Sequence, residues 1–174
     1  MKGGYDTKRL LAVVDKVAGM GLWGKDVPAG EGIGFAAHMS FSSYVACVMH
    51  VAVGENNKLT IKQVDYAIDC GTVVNPDGVR AQCEGGLVYG LSAALYGEIT
   101  VKDGAVEQGN FDDYPVLRID KMPVVKVELI ESTADPSGIA EPPTPVVAPA
   151  LTNAIFAATG KRIRDLPLSA QGFV

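Results

Sequence analysis

Basic residues are the minority charge in this chain. Fifteen lysines and arginines stand against twenty aspartates and glutamates, a net charge of −5, and the basic side chains are scattered. No stripe exists that could neutralise a row of phosphates, which argues against a nucleic-acid partner. Cysteine is scarce too. Cys47, Cys70 and Cys83 are an odd number and form no Cys-x-x-Cys pair. That spacing leaves the chain without an iron–sulfur ligand set and reads as three buried thiols. No apolar run reaches the roughly 18 residues of a membrane-spanning helix. The opening Met1-Lys2-Gly3-Gly4 lacks the apolar stretch of a secretory signal. It reads as an artificial start in front of an internal segment. His38 and His50 are the only two histidines and stand alone; His50, inside an apolar run, is expected to be a satisfied core residue. No Ser-His-Asp or phosphate-loop arrangement is present.

What is present builds a packed domain. Hydrophobic residues make up 48% of the 174 and charged residues 20%, the balance of an ordinary globular domain or of one lobe of a larger one. Thr7 to Met20 carries Leu10, Leu11, Val14 and Val17 at helical steps, with Asp6 as N-cap. Gly24 to Gly34, rich in Gly and Pro, reads as a loop. Phe41–Val53 is a continuously apolar, β-branched run and predicts a buried strand. Leu59–Ile68 predicts its antiparallel hairpin partner. Asp69-Cys70-Gly71 and Asn75-Pro76-Asp77-Gly78 punctuate a loop, and a helix is expected from about Asp77 to Tyr96. Asp103-Gly104 marks a second hairpin. Val124–Glu131 alternates as a half-buried strand should. Ser132–Pro149 is a long proline-rich segment, and Ala148–Thr159 a helix closed by Gly160. The sum is an α+β chain with antiparallel hairpins and about three helices.

Two places invite chemistry. The first is the glycine-dense run Gln82-Cys83-Glu84-Gly85-Gly86, read as a helix opening. Free backbone N–H groups there would suit a polar ligand, and the Gln82 amide both donates and accepts. Its ordinary alternative is a tightly packed helix with a solvent-facing Gln. The second is Glu141, the only acid between Asp135 and Asp165. Small residues precede it and Pro142-Pro143 follow. Held in apolar surroundings, a carboxylate gains a raised pKa and can act as a general base; its ordinary alternative is an exposed loop acid.

Several strings together resemble the xanthine oxidase family of molybdenum hydroxylases, most of all the large (beta) subunit of isoquinoline 1-oxidoreductase-type enzymes. They are Asp69-Cys70-Gly71-Thr72-Val73-Val74-Asn75-Pro76, Gln82-Cys83-Glu84-Gly85-Gly86, Asn110-Phe111-Asp112-Asp113-Tyr114, Gly138-Ile139-Ala140-Glu141-Pro142 and the run from Pro149 to Arg164. The resemblance extends from about residue 7 to 168. It implies that residues 1–174 are one lobe from the C-terminal part of a molybdopterin-binding large subunit. It implies Glu141 as the catalytic base and Gln82 as a contact to a molybdenum-pterin cofactor, in bacterial members often the cytosine dinucleotide form. It further implies iron–sulfur clusters on a separate small subunit. The substrate would be an N-heteroaromatic compound or an aldehyde, with water as the oxygen source. The family's Gly-x-Gly-Glu string has Ala140 for its second glycine here, which sets a methyl group beside the base.

Two other readings compete: a stand-alone non-catalytic binding module, and a structural subunit of a split enzyme. Because the family's other pterin-binding loops have no counterpart in these 174 residues, the isolated chain is expected to be inactive. Purified chain supplied with molybdate should turn over neither heteroaromatic nor aldehyde substrates; turnover would contradict the one-lobe reading.

Overall fold

The computed structural model of the protein describes residues 5–173; the expected artificial start at residues 1–4 lies outside them. Helix α1 (Thr7–Ala18) opens at Asp6, whose side chain accepts from the Lys8 N–H at 2.9 Å. It buries Val13 and Val17, four residues apart on one face. Strands β1 (Glu31–Ser40), β2 (Ser43–Val53) and β3 (Leu59–Asp69) follow, then α2 (Pro76–Leu95), the short ribbon of β4 (Val101–Lys102) and β5 (Ala105–Val106), β6 (Val124–Leu129) and α3 (Val147–Thr159).

The main sheet has the order β1-β2-β3-β6. The predicted β2–β3 hairpin forms, and the class is α+β. The sheet is not antiparallel throughout, however: β6 pairs with β3 in parallel. A parallel neighbour needs a long crossover, and α2 with the β4–β5 ribbon supplies it. Strand β2 is covered on both faces. Val45, Cys47, Met49 and Val51 belong to a core shared with α2 and α3, while Tyr44, Ala46 and Val48 pack under α1. Burial on both sides is why this run is apolar at every position rather than at alternate ones.

The stretch 24–34, expected to be a loop, ends inside a strand: Glu31–Gly34 open β1. The glycines within the strand, Gly32 and Gly34, are there for packing, not turning. A Cβ on Gly32 would lie 2.2 Å from the Ala154 carbonyl oxygen, and one on Gly34 would lie 2.1 Å from that of Ala150. Helix α3 therefore rests with its backbone on the β1 backbone. The β1–β2 turn, Phe41-Ser42, holds both residues at positive φ (50° and 64°) without glycine or asparagine, so the usual hairpin signal is missing from the sequence.

All three cysteines are buried and free; burial pushes the Cys83 thiol up to about 12. His50 is satisfied, but by a carboxylate near the sheet edge and not by the core. Its Nε2 lies 2.6 Å from Glu31 Oε2, and Glu31 also pairs with Lys62.

An ion pair ties α1 to the end of β3. Arg9 Nε and Nη2 donate to Asp69 at 2.8 and 2.6 Å, and Gly71 N–H donates to the same carboxylate at 3.0 Å. Burial pushes the Asp69 carboxyl up, but the hydrogen bonds from Arg9 and Gly71 outweigh it and hold the group below its usual value. The stabilisation is thus complete above the unfolded value of about 3.9 and is lost as pH falls through the lower folded value.

Two outcomes follow for stability. Arg9→Ala should cost about 3 kcal/mol in urea denaturation at neutral pH, the low end for breaking a buried pair, because the Arg9 side chain keeps 21% exposure. Its loss of stability below about pH 4 should also be shallower than in the parent. Gly34→Ala should lower the urea midpoint by an amount corresponding to about 1–3 kcal/mol, since its new methyl meets α3 backbone rather than a movable side chain. A midpoint equal to the parent's would mean that α3 does not press on β1.

Candidate functional site

The loop before α2 is built around Asn75. Its side-chain oxygen accepts from Asp77 N and Gly78 N, both at 3.1 Å, and Pro76 occupies the first helical turn. The helix therefore opens six residues before Gln82. The backbone N–H groups at Gln82–Gly86 lie inside the helix, where they bond within it; they are not a free N-terminus. The expected polar-ligand cradle of free N–H groups at Gln82–Gly86 is corrected on this point. What these residues offer is a helix face. Gln82, Gly85, Gly86 and Tyr89 recur at three- and four-residue steps and line one side of an open cavity of about 450 Å³.

The opposite wall comes from the proline-rich segment: Ala140, Glu141, Thr144 and Pro145. Gln82 and Glu141, far apart in the chain, thus face one cavity. Gln82 also lines a neighbouring cavity of about 310 Å³ with Cys70, Thr72, Asn75, Ser137 and Ile139, and so stands where the two meet.

The α2 glycines divide by role. A Cβ on Gly86 would come within 3.0 Å of Pro143 Cβ, and one on Gly90 within 2.7 Å of Val147 Cβ. Both let the helix lie directly against the segment that carries Glu141. Gly85 has nothing within 4 Å of its would-be Cβ and borders the cavity; a side chain there would occupy ligand space. Thr144 Oγ1 fastens the same contact by donating to the Gly86 carbonyl at 3.2 Å.

The segment reaches this position through a chain of anchors. Thr72 N donates to Ala134 O at 2.8 Å, Ser137 N to Cys70 O at 2.9 Å, and Gly138 N to Phe41 O at 3.2 Å. The Ser43 hydroxyl donates to the Gly138 carbonyl. Beyond Glu141, His38 Nε2 lies 3.0 Å from the Pro142 carbonyl oxygen, and the Tyr66 hydroxyl donates to the Pro143 carbonyl at 3.1 Å. Glu141 itself is exposed. The apolar enclosure expected around it does not come from the described residues, so any enclosure would have to come from whatever covers this wall.

Tyr89, Thr144, His38 and Tyr66 escaped the sequence reading. Tyr89 was within reach of it, because it sits seven residues from Gln82 on the same helix face. His38 and Tyr66 carried no signal, since their partners are carbonyls of residues about a hundred and eighty positions away respectively.

A glycine-lined helix face opposite a carboxylate-bearing loop, on a mixed sheet, borders an open cavity of the size that takes a small molecule. Residues 14–123 match the family model described as the molybdopterin cofactor-binding domain. The chain belongs to that family, within the molybdenum-binding subunits of the xanthine oxidase group. It is 37% identical over 161 residues to the isoquinoline 1-oxidoreductase subunit beta of Brevundimonas diminuta, covering 90% of this chain and 21% of that protein. It is 36% identical over 166 residues to a membrane-bound aldehyde dehydrogenase (pyrroloquinoline-quinone) of Gluconacetobacter polyoxogenes, covering 92% and 22%. The chain thus spans about a fifth of the length of these relatives. Among solved structures, the aldehyde oxidoreductase of Desulfovibrio gigas superposes with a TM-score of 0.63 at 23% identity, covering 72% of this chain and 14% of that one. This likeness shows the fold.

Proposed function

We propose that this chain is a C-terminal lobe of a molybdenum hydroxylase large subunit, supplying the catalytic base Glu141 and the cofactor contact Gln82. One observation carries the reading: Gln82 and Glu141 line opposite walls of one cavity. The residues fit a flat pterin. The open Gly85 position leaves room for it against the helix, and the Gln82 amide offers both a donor and an acceptor to its polar edge. When bound, the molybdenum-pterin group supplies oxygen transfer from water and takes up the substrate's electrons. Glu141 would take, on a carboxylate oxygen, the proton that the water-derived oxygen gives up as its bond to the substrate carbon forms. The Pro142-Pro143 pair behind it limits how far that carboxylate can wander.

The coverage of about a fifth of the relatives' length supports a large subunit whose remaining portion completes the cleft. In this reading the cofactor is the cytosine dinucleotide form, and electrons leave through iron–sulfur clusters on a small partner subunit. The substrate is a small N-heteroaromatic compound or an aldehyde, the two chemistries named in the relatives. The quinone in the second relative's name makes cofactor identity a direct test.

The experiment is to purify the complete subunit with its partner, as the parent and as Glu141→Gln, and to measure metal, extractable cofactor and turnover. Molybdenum and a pterin nucleotide should be present in both, with kcat reduced about 10²- to 10⁴-fold in the variant. A quinone without molybdenum, or wild-type kcat in Glu141→Gln, would overturn the proposal.

A further inference from the structure

The turn that carries Glu141 is held almost wholly by its carbonyl oxygens. Pro142 and Pro143 have no N–H to give, so the segment cannot pair as a strand. Each of its four carbonyls nevertheless has a donor. Glu141 O accepts from Thr144 N at 2.8 Å, and Thr144 O from Val147 N at 3.1 Å. These two bonds are local and would form in any turn of this shape. The middle two come from the sheet: His38 on β1 to Pro142 O, and Tyr66 on β3 to Pro143 O.

The two sheet donors differ in kind. Tyr66 is fully buried at the centre of the core, so its bond is inseparable from the packing of α2 and α3 on the sheet. His38 is half-buried on an edge strand, and its neighbours on β1, Ala37 and Met39, point to the α1 side. A carbonyl oxygen can only accept, so the His38 Nε2 must carry the proton in this contact. Ser40 Oγ lies 3.5 Å from the same nitrogen. Pro142 is the residue directly after Glu141, and the direction of its carbonyl restrains the backbone on the C-terminal side of the base.

We propose that His38 is a positioning residue for Glu141, acting through the Pro142 carbonyl and not by touching substrate. This rests on the reading of Glu141 as the base. His38 adds a non-local restraint on the residue that follows the base, from an edge strand and not from the buried core. Catalytic geometry is sensitive at this scale, since a displacement of about 1 Å can cost about 10²-fold in rate.

The test uses the complete subunit with its partner. His38→Leu removes the donor, His38→Asn is too short to reach, and His38→Gln can return an N–H to the carbonyl. Each is also combined with Glu141→Gln. The expected result is a kcat lowered about 10- to 100-fold in His38→Leu and His38→Asn. KM, molybdenum content and melting temperature should stay at parent values, and His38→Gln should recover most of the rate. Added to Glu141→Gln, the His38 changes should lower kcat no further, because a residue that acts only through the base has nothing left to position. Parent-like kcat in both His38→Leu and His38→Asn would overturn the proposal, as would an additive loss in the double variants or no recovery in His38→Gln. If His38→Leu does not assemble, the Asn and Gln pair carries the same comparison. Parent-like kcat in Glu141→Gln alone would instead remove the base assignment on which the proposal stands.

Discussion

Helix α2 lies against the Pro143–Val147 segment with only the hydrogens of Gly86 and Gly90 between them. The rest of the site depends on that contact. With a methyl at Gly90, a new Cβ would sit 2.7 Å from Val147, and either the helix or the segment would have to withdraw. Because Gln82 rides on the helix and Glu141 on the segment, withdrawal would widen the cavity they share. The same device recurs on the other side of α3, where Gly32 and Gly34 admit the helix backbone onto β1. Helix α3 is thus pinned by β1 beneath it, and the segment leading into it is pinned by α2. Glycine costs about 1 kcal/mol in a helix relative to alanine, and here close backbone packing offsets that cost.

Polar contacts then finish what packing begins. The Arg9–Asp69 pair secures the end of β3, from which the loop to α2 departs, and the Gly71 N–H shares the same carboxylate. Gly71 is also where the proline-rich segment comes closest: a Cβ there would lie 2.1 Å from the Asp135 carbonyl oxygen. The backbone bonds of Thr72 and Ser137 run alongside. Both walls of the cavity are therefore tied to one strand end before they diverge. The exposed Glu141 is the counterpart of this arrangement. The backbone around Glu141 is held in place while its carboxylate stays exposed at the cavity.

Much of this was legible in the sequence where the cause is local. Asp6 and Gly160 cap helices through their own side chain or conformational freedom, so neighbouring residues suffice to identify them. The β2 run is apolar at every position because both its faces are covered, and the pattern says so. Gln82 and Glu141 stood out by composition and by resemblance. Strand β1 was misread because its glycines answer to α3, more than a hundred residues later in the chain. The parallel pairing of β6 was missed because alternation reports a half-buried strand without reporting its direction. The supposed helix opening at Gln82 was displaced because Asn75-Pro76 is the stronger start, and the later glycines record close packing.

The sequence by itself determined most of the elements, the caps at Asp6 and Gly160, the family resemblance and the two residues most worth testing, because each of these is written in spacing over a few residues or in short strings. Only the tertiary structure decided which glycine faces open space, that Gln82 and Glu141 share a cavity, and that His38 and Tyr66 hold the carbonyls beyond Glu141. Those relations join residues from different strands, helices and loops. The physical reason is that a carbonyl accepts from any donor the fold brings to it, and a backbone approach requires only a missing Cβ. Neither leaves a periodic mark on the chain.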